Sequence, residues 1–172
     1  VTELVTGLDL VLQQIRIAAG EPLDIAQEDI SPRGHAIEVR LYAEDPQQNF
    51  LPSTGTVSTF VPPSGPGVRV DSGIQSGDEI SQYYDPMIAK LIVYGEDRPA
   101  AIARLRDALQ QLAVFGVQTN ASLLLTIANH PAFYEGQTYT NFLETYSLLE
   151  AQPQEAQQLD PYALYAAALL DL

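Results

Sequence analysis

The chain has 172 residues, of which 46% are hydrophobic and 17% charged, a composition typical of a folded globular chain and not of a disordered one. It has no cysteine, which excludes disulfides and thiolate metal sites, and its net charge of −14 argues against nucleic acid and anionic membrane surfaces as partners. No apolar run approaches the roughly 20 residues of a membrane span, and no signal peptide precedes the first predicted helix. These features favour a cytoplasmic location.

The first third of the sequence predicts one helix and one strand. Residues 2–19 have apolar side chains at helical spacing, and Gly20 followed by Pro22 predicts the end of that helix. After a loop, residues 35–42 alternate strictly between polar and apolar side chains. The alternation predicts a strand with a packed face and a polar face, and the polar face ends in Arg40.

Further elements follow in an order that defines the fold class. Strands are predicted over 56–61, 68–71 and 87–94, and helices over 98–113, 120–129 and 141–149. The strand over 87–94 is the most apolar, so we expect it to lie centrally in a sheet. Because the order is a helix, then several strands, then helices, the sequence predicts an α+β fold with a mostly antiparallel sheet flanked by helices.

Motif searches identify no complete active site. Neither a phosphate loop nor G-x-G-x-x-G is present, and no histidine or carboxylate set has metal-ligand spacing, so no metal site is predicted. The two histidines, His35 and His130, are best interpreted as structural. Arg40 is the outstanding charge, because an arginine at the end of a strand's polar face is either paired within the fold or presented to an anion.

Several long runs resemble the biotin carboxylase family. Residues 34–46 read G-H-A-I-E-V-R-L-Y-A-E-D-P and are similar to that family's signature G-H-A-x-E-x-R-x-x-A-E-D-P, with a matching N-F-L-P-x-x-G continuation at 49–55. Residues 83–91 resemble its Y-Y-D-x-M-I-A/G-K-L run, and V-T-E at 1–3 and R-I-A-A-G at 16–20 also match. The resemblance extends to about residue 147 and is strongest to α subunits of methylcrotonoyl-, propionyl- and acetyl-CoA carboxylases.

The resemblance implies a ligase that forms a C–N bond, using ATP and bicarbonate to carboxylate biotin on a carrier domain. Arg40 matches the signature arginine, which implies that it holds the ureido oxygen of biotin and stabilises the enolate formed on deprotonation of N1′. Residues that bind ATP, divalent metal and bicarbonate would precede Val1, so we expect the chain to belong to a longer protein and to be inactive in isolation.

Two further residues are implied by the same resemblance. Asp85 lies in the Y-Y-D run and either orients Arg40 or supports subunit contacts. Arg69 matches an arginine of the family's dimer interface, although Pro66 stands where some members have an aromatic residue. Implied partners are the rest of the carboxylase chain, the biotin carrier domain, a carboxyltransferase subunit and a second copy of the chain. The alternative is a packing or dimerisation module without chemistry of its own.

The sequence divides into two regions by composition. Residues 1–149 form the predicted biotin carboxylase C-terminal domain. Residues 150–172 begin with a stretch rich in glutamine, alanine and glutamate, followed by an apolar run with helical spacing. We interpret them as a linker and the start of a following element. The alternative is a C-terminal helix that packs back on the domain.

Overall fold

The computed structural model describes residues 1–149. Within this range the helices are α1 (Thr2–Thr6), α2 (Leu10–Ala18), α3 (Arg98–Gln111), α4 (Ala121–Asn129), α5 (Pro131–Tyr134) and α6 (Phe142–Thr145). The strands are β1 (His35–Tyr42), β2 (Glu44–Asp45), β3 (Leu51–Pro52), β4 (Gly55–Thr56), β5 (Thr59–Val61), β6 (Val68–Ser72), β7 (Glu79–Ile80), β8 (Met87–Gly95) and β9 (Ala113–Phe115). All the strand pairs in this range are antiparallel, which confirms the predicted α+β class.

The central element is the sheet β1-β8-β6. β8 pairs with β1 from Gly95 to Met87 and with β6 from Val93 to Ala89, so it is the central strand of the sheet. Most of its side chains are buried, and a strand whose two faces are both covered need not alternate between apolar and polar residues. The predicted central position of this strand is confirmed.

Helix α3 covers the apolar face of this sheet. The Asp97 carboxylate accepts the Ala100 N–H at 2.8 Å, and Pro99 occupies the first turn, where no backbone donor is needed. Ile102 and Leu105 are at most 1% exposed and pack against Ile37 and Val93 from the sheet. This is the principal core, and it requires β1 to direct alternate side chains towards α3 and away from it.

The N-terminal region differs from the predicted continuous helix over 2–19. Gly7 has φ 75° in the left-handed region, ends α1, and is followed by Asp9, whose carboxylate accepts the Leu12 N–H at 2.9 Å to start α2. A glycine adopts this conformation without strain, which explains the interruption. The apolar side chains of α2 remain largely exposed; Val11 and Ile15 are 63% and 61% exposed.

Three other predicted boundaries are corrected by short strands and turns. The strand over 56–61 is divided into β4 and β5, which pair with different partners, β7 and β9. The helix over 98–113 ends at Gln111, because the next residues form β9 against β5. Pro131 follows the end of α4 and starts α5, and the predicted 141–149 helix is confined to α6.

No helix within residues 1–149 has the length and apolarity needed to cross a lipid bilayer. The predicted linker and following element at 150–172 lie outside the described residues, so that division of the chain stays a prediction.

We expect Leu105→Ala to lower the free energy of unfolding by about 2–5 kcal/mol, because it opens a cavity between α3 and the sheet. Leu51→Ala is the matched control, since Leu51 is 58% exposed, and it should cost less than about 1 kcal/mol. Urea denaturation of both variants measures the difference. Equal losses would contradict the assignment of the core.

Candidate functional site

Arg40 lies near the carboxyl end of β1, on the face turned away from α3. Its side chain is exposed, whereas its neighbour Leu41 is 2% exposed and points into the core. In the sheet register Arg40 is opposite Lys90 of β8. The strand alternation that buries Leu41 therefore presents two basic residues side by side on the polar face.

Arg40 is permanently charged. Its interaction with the Tyr42 side chain, with smaller contributions from the charges of Glu38 and Asp85, raises the pKa of Arg40 above its ordinary value. No carboxylate of residues 1–149 lies within the 4.0 Å that defines an ion pair with Arg40. Arg40 is therefore not held in an ion pair within the described residues, and its role as a cation presented to an anion stays a prediction.

The run 83–91 meets the end of β1. The Ala43 N–H donates to the Pro86 carbonyl at 2.8 Å, and the Asp85 carboxylate accepts the Met87 N–H at 2.8 Å. Asp85 thereby lies close enough to contribute to the raised pKa of Arg40. The structure thus brings together Arg40 and Asp85, two residues that are 45 positions apart in the sequence.

Glu44 also belongs to this cluster. Burial, with a smaller contribution from the charge of Asp85, raises the pKa of its carboxyl above the ordinary value. Asp45 caps the following turn, since its carboxylate accepts the Gln47 N–H at 2.9 Å, whereas Glu44 is half-buried beside the candidate site.

Sequence reasoning missed Tyr42 and Asn120 as site residues. Tyr42 follows Arg40 by two positions, and strand alternation was the signal that could have identified it. Asn120 precedes α4, and the sequence indicated only a helix start there. Its side-chain amide donates from Nδ2 to the Arg40 carbonyl at 3.1 Å and accepts at Oδ1 from the Tyr42 N–H at 3.0 Å. No spacing rule predicts a contact across 80 positions.

Arg69 lies apart from this cluster, on the edge strand β6. Its guanidinium is 2.8 Å from Asp71 and 3.5 Å from Glu3, while its side chain is 49% exposed. The hydrogen bond from Arg69 lowers the pKa of Asp71. Arg69 is therefore held by two carboxylates of its own chain on the outer edge of the sheet.

Both histidines have structural surroundings. His35 Nε2 lies 3.2 Å from the guanidinium of Arg98, which also stacks on the Phe133 ring. His130 Nδ1 accepts the Ala132 N–H at 3.2 Å and its ring contacts Phe142 and Tyr146. Among residues 1–149, no three histidines or carboxylates are grouped so as to hold a metal ion.

Comparisons with known proteins identify the family. The sequence model described as "Biotin carboxylase C-terminal domain" matches residues 38–145. The chain belongs to the biotin carboxylase C-terminal domain family. It is 46% identical over 144 residues to the rat mitochondrial methylcrotonoyl-CoA carboxylase subunit alpha, with 83% of this chain and 20% of the relative aligned. It is also 46% identical over 149 residues to biotin carboxylase 1 of Bacillus subtilis, covering 87% of this chain and 33% of that protein.

A solved structure shows the same fold. The biotin carboxylase domain dimer of Hydrogenobacter thermophilus 2-oxoglutarate carboxylase, in complex with MgADP, ADP and bicarbonate, is 44% identical with a TM-score of 0.85. The match covers 87% of this chain and 33% of that one. The resemblance to biotin carboxylases, including an acyl-CoA carboxylase α subunit, is confirmed. The chain spans only about a fifth to a third of the length of these proteins.

We expect Glu44→Gln to raise the melting temperature at pH 7. Because burial raises the pKa of Glu44, its ionised form carries a cost in the folded state that an uncharged glutamine does not. As the pH falls to about 4 the carboxyl becomes protonated in both states, and the difference should vanish.

Thermal unfolding of both proteins from pH 4 to 8 measures this effect. Glu38→Gln is the control, since it removes an exposed carboxylate of the neighbouring strand β1 without relieving any burial. A Glu44→Gln variant that is less stable at pH 7 than at pH 4, relative to the parent, would contradict the account.

Proposed function

We propose that this chain completes the biotin-binding side of a biotin carboxylase site, with Arg40 as the residue that contacts biotin. The observation that carries the proposal is the exposed guanidinium at the end of β1, close to Tyr42 and Asp85 but not ion-paired within the described residues. The family membership supports it, because Arg40 occupies the arginine position of the signature run.

The chemistry of Arg40 fits a ureido group. A guanidinium is planar, permanently charged and has only donors, so it can hold a carbonyl oxygen without a change of protonation. When the neighbouring N1′ loses its proton, negative charge develops on that oxygen, and a fixed cation stabilises it. Asp85 and Tyr42 would orient the guanidinium from the side opposite to the ligand.

ATP, a divalent metal and bicarbonate would be bound by a region outside this chain. The related 2-oxoglutarate carboxylase domain carries MgADP, ADP and bicarbonate, and this chain matches 33% of it. We propose that the whole protein also works with a biotin carrier domain and a carboxyltransferase subunit in the cytoplasm. Relatives of nearly equal identity are named for different acceptors, methylcrotonoyl-CoA and 2-oxoglutarate, so the acceptor is left open.

We expect Arg40→Ala in the full-length protein to lower kcat for biotin-dependent carboxylation about 100- to 1000-fold, because the developing charge on oxygen loses its cation. Arg40→Lys should recover part of the loss, since it restores charge without the planar fork. Arg33→Ala, which removes an exposed arginine away from the cluster, is the matched control and should retain turnover. Near-parental turnover of Arg40→Ala would refute the catalytic role.

The isolated chain should not hydrolyse ATP in the presence of bicarbonate, because the nucleotide-binding region is proposed to lie elsewhere. A coupled assay for ADP release, with the full-length protein as the positive control, tests this. Bicarbonate-dependent ATP hydrolysis that copurifies with the isolated chain through several steps would contradict the proposal that the nucleotide is bound outside this chain.

The alternative, a dimerisation module, is favoured by one observation. Arg69 is half exposed on the outer edge of the sheet, and the related 2-oxoglutarate carboxylase domain is a dimer. If Arg69 contributes to such an interface, Arg69→Glu should shift sedimentation from dimer to monomer, while Arg33→Glu should not. An unchanged sedimentation coefficient for Arg69→Glu would remove Arg69 from the interface.

A further inference from the structure

We propose that Asn120 is a positioning residue for Arg40, acting through the backbone at the end of β1. The inference rests on the proposed function of Arg40 and extends it to a residue on a different element. Asn120 would not touch biotin. Its role would be to fix the direction in which Arg40 and Tyr42 leave the strand.

Three hydrogen bonds carry the inference. The Asn120 side chain donates from Nδ2 to the Arg40 carbonyl at 3.1 Å and accepts at Oδ1 from the Tyr42 N–H at 3.0 Å. The Asn120 backbone N–H donates to the Tyr42 carbonyl at 3.2 Å. One residue therefore binds the backbone on both sides of Leu41, and the two amide partners fix which end of the side chain is oxygen.

The position of these bonds explains why they are needed. The pairing of β1 with β8 shifts register between Leu41 and Tyr42. A bulge disrupts the ladder locally and re-aims the side chains next to it, so the strand end needs hydrogen bonds from elsewhere. Asn120 supplies them at the step between Arg40 and Tyr42.

Burial makes the arrangement rigid. Asn120 is 8% exposed, and it is the one buried polar side chain among residues 1–149. A buried amide is costly unless its groups are hydrogen-bonded, so a displaced strand end would lose bonds that water could not replace. Asn120 also stands at the N-cap of α4 without a side-chain bond to that helix, so its amide serves the strand instead.

The test is a double-mutant cycle in the full-length carboxylase, with free biotin as the varied substrate. Asn120→Ala removes both side-chain bonds, and Asn120→Asp keeps an acceptor for Tyr42 but cannot donate to Arg40. Each should lower kcat/KM for biotin about tenfold or more, because a misplacement of about 1 Å is costly, while KM for ATP stays unchanged. In an Arg40→Ala background neither should cause a further loss, since the residue that they position is absent.

Phe142→Leu provides the control for stability. Phe142 is 8% exposed in a separate cluster around α6, so the variant should lower the melting temperature without changing kcat/KM for biotin. All variants are assayed at a temperature at which circular dichroism shows them folded. If both Asn120 variants fail to fold at any temperature, Asn120 is structural and the proposal is overturned.

The outcomes separate the two proposals. If Arg40→Ala retains turnover, the proposed function fails first, and the positioning role fails with it. If Arg40→Ala loses turnover but the Asn120 variants retain theirs, only the positioning role is refuted. Full additivity of the Asn120 and Arg40 losses, or a raised KM for ATP, would likewise refute it.

Discussion

The antiparallel pairing of β1 with β8 is the constraint on which the other features depend. It places Ile37 and Leu41 against the apolar core and leaves Arg40 on the opposite face beside Lys90. Because side chains alternate with a period of two, a slip of one residue would move Arg40 into the core. The burial of apolar residues under α3 therefore also fixes the position of the proposed biotin-binding cation.

The second determinant is the way in which the strand end is held. Backbone bonds from Ala43 to Pro86 and from Asn120 to Tyr42 connect β1 to two distant parts of the chain. The carboxyl groups of Asp85 and Glu44 lie near this end of β1, and burial raises the pKa of Glu44. In a chain of net charge −14, Arg40 stays exposed at this site without a carboxylate paired to it within 4.0 Å in the described residues.

The elements with strong local signals were predicted well from the sequence. Alternation identified β1, a continuous apolar run identified β8, and the helix predicted over 98–113 starts where α3 starts. Arg40 was selected because it ends a polar face. The two-residue strands, the division at Gly7 and the bonds of Asn120 could not be predicted, since each depends on partners that are distant in sequence or on a single backbone conformation.

The central claim is that Arg40 binds the ureido oxygen, and a structure of the full-length protein with biotin tests it most directly. The account predicts a guanidinium nitrogen of Arg40 at roughly 2.7–3.2 Å from the ureido oxygen, with the register shift between Leu41 and Tyr42 and the Asn120 bonds unchanged. Biotin bound with its ureido oxygen on another residue, and Arg40 turned away from it, would contradict the account.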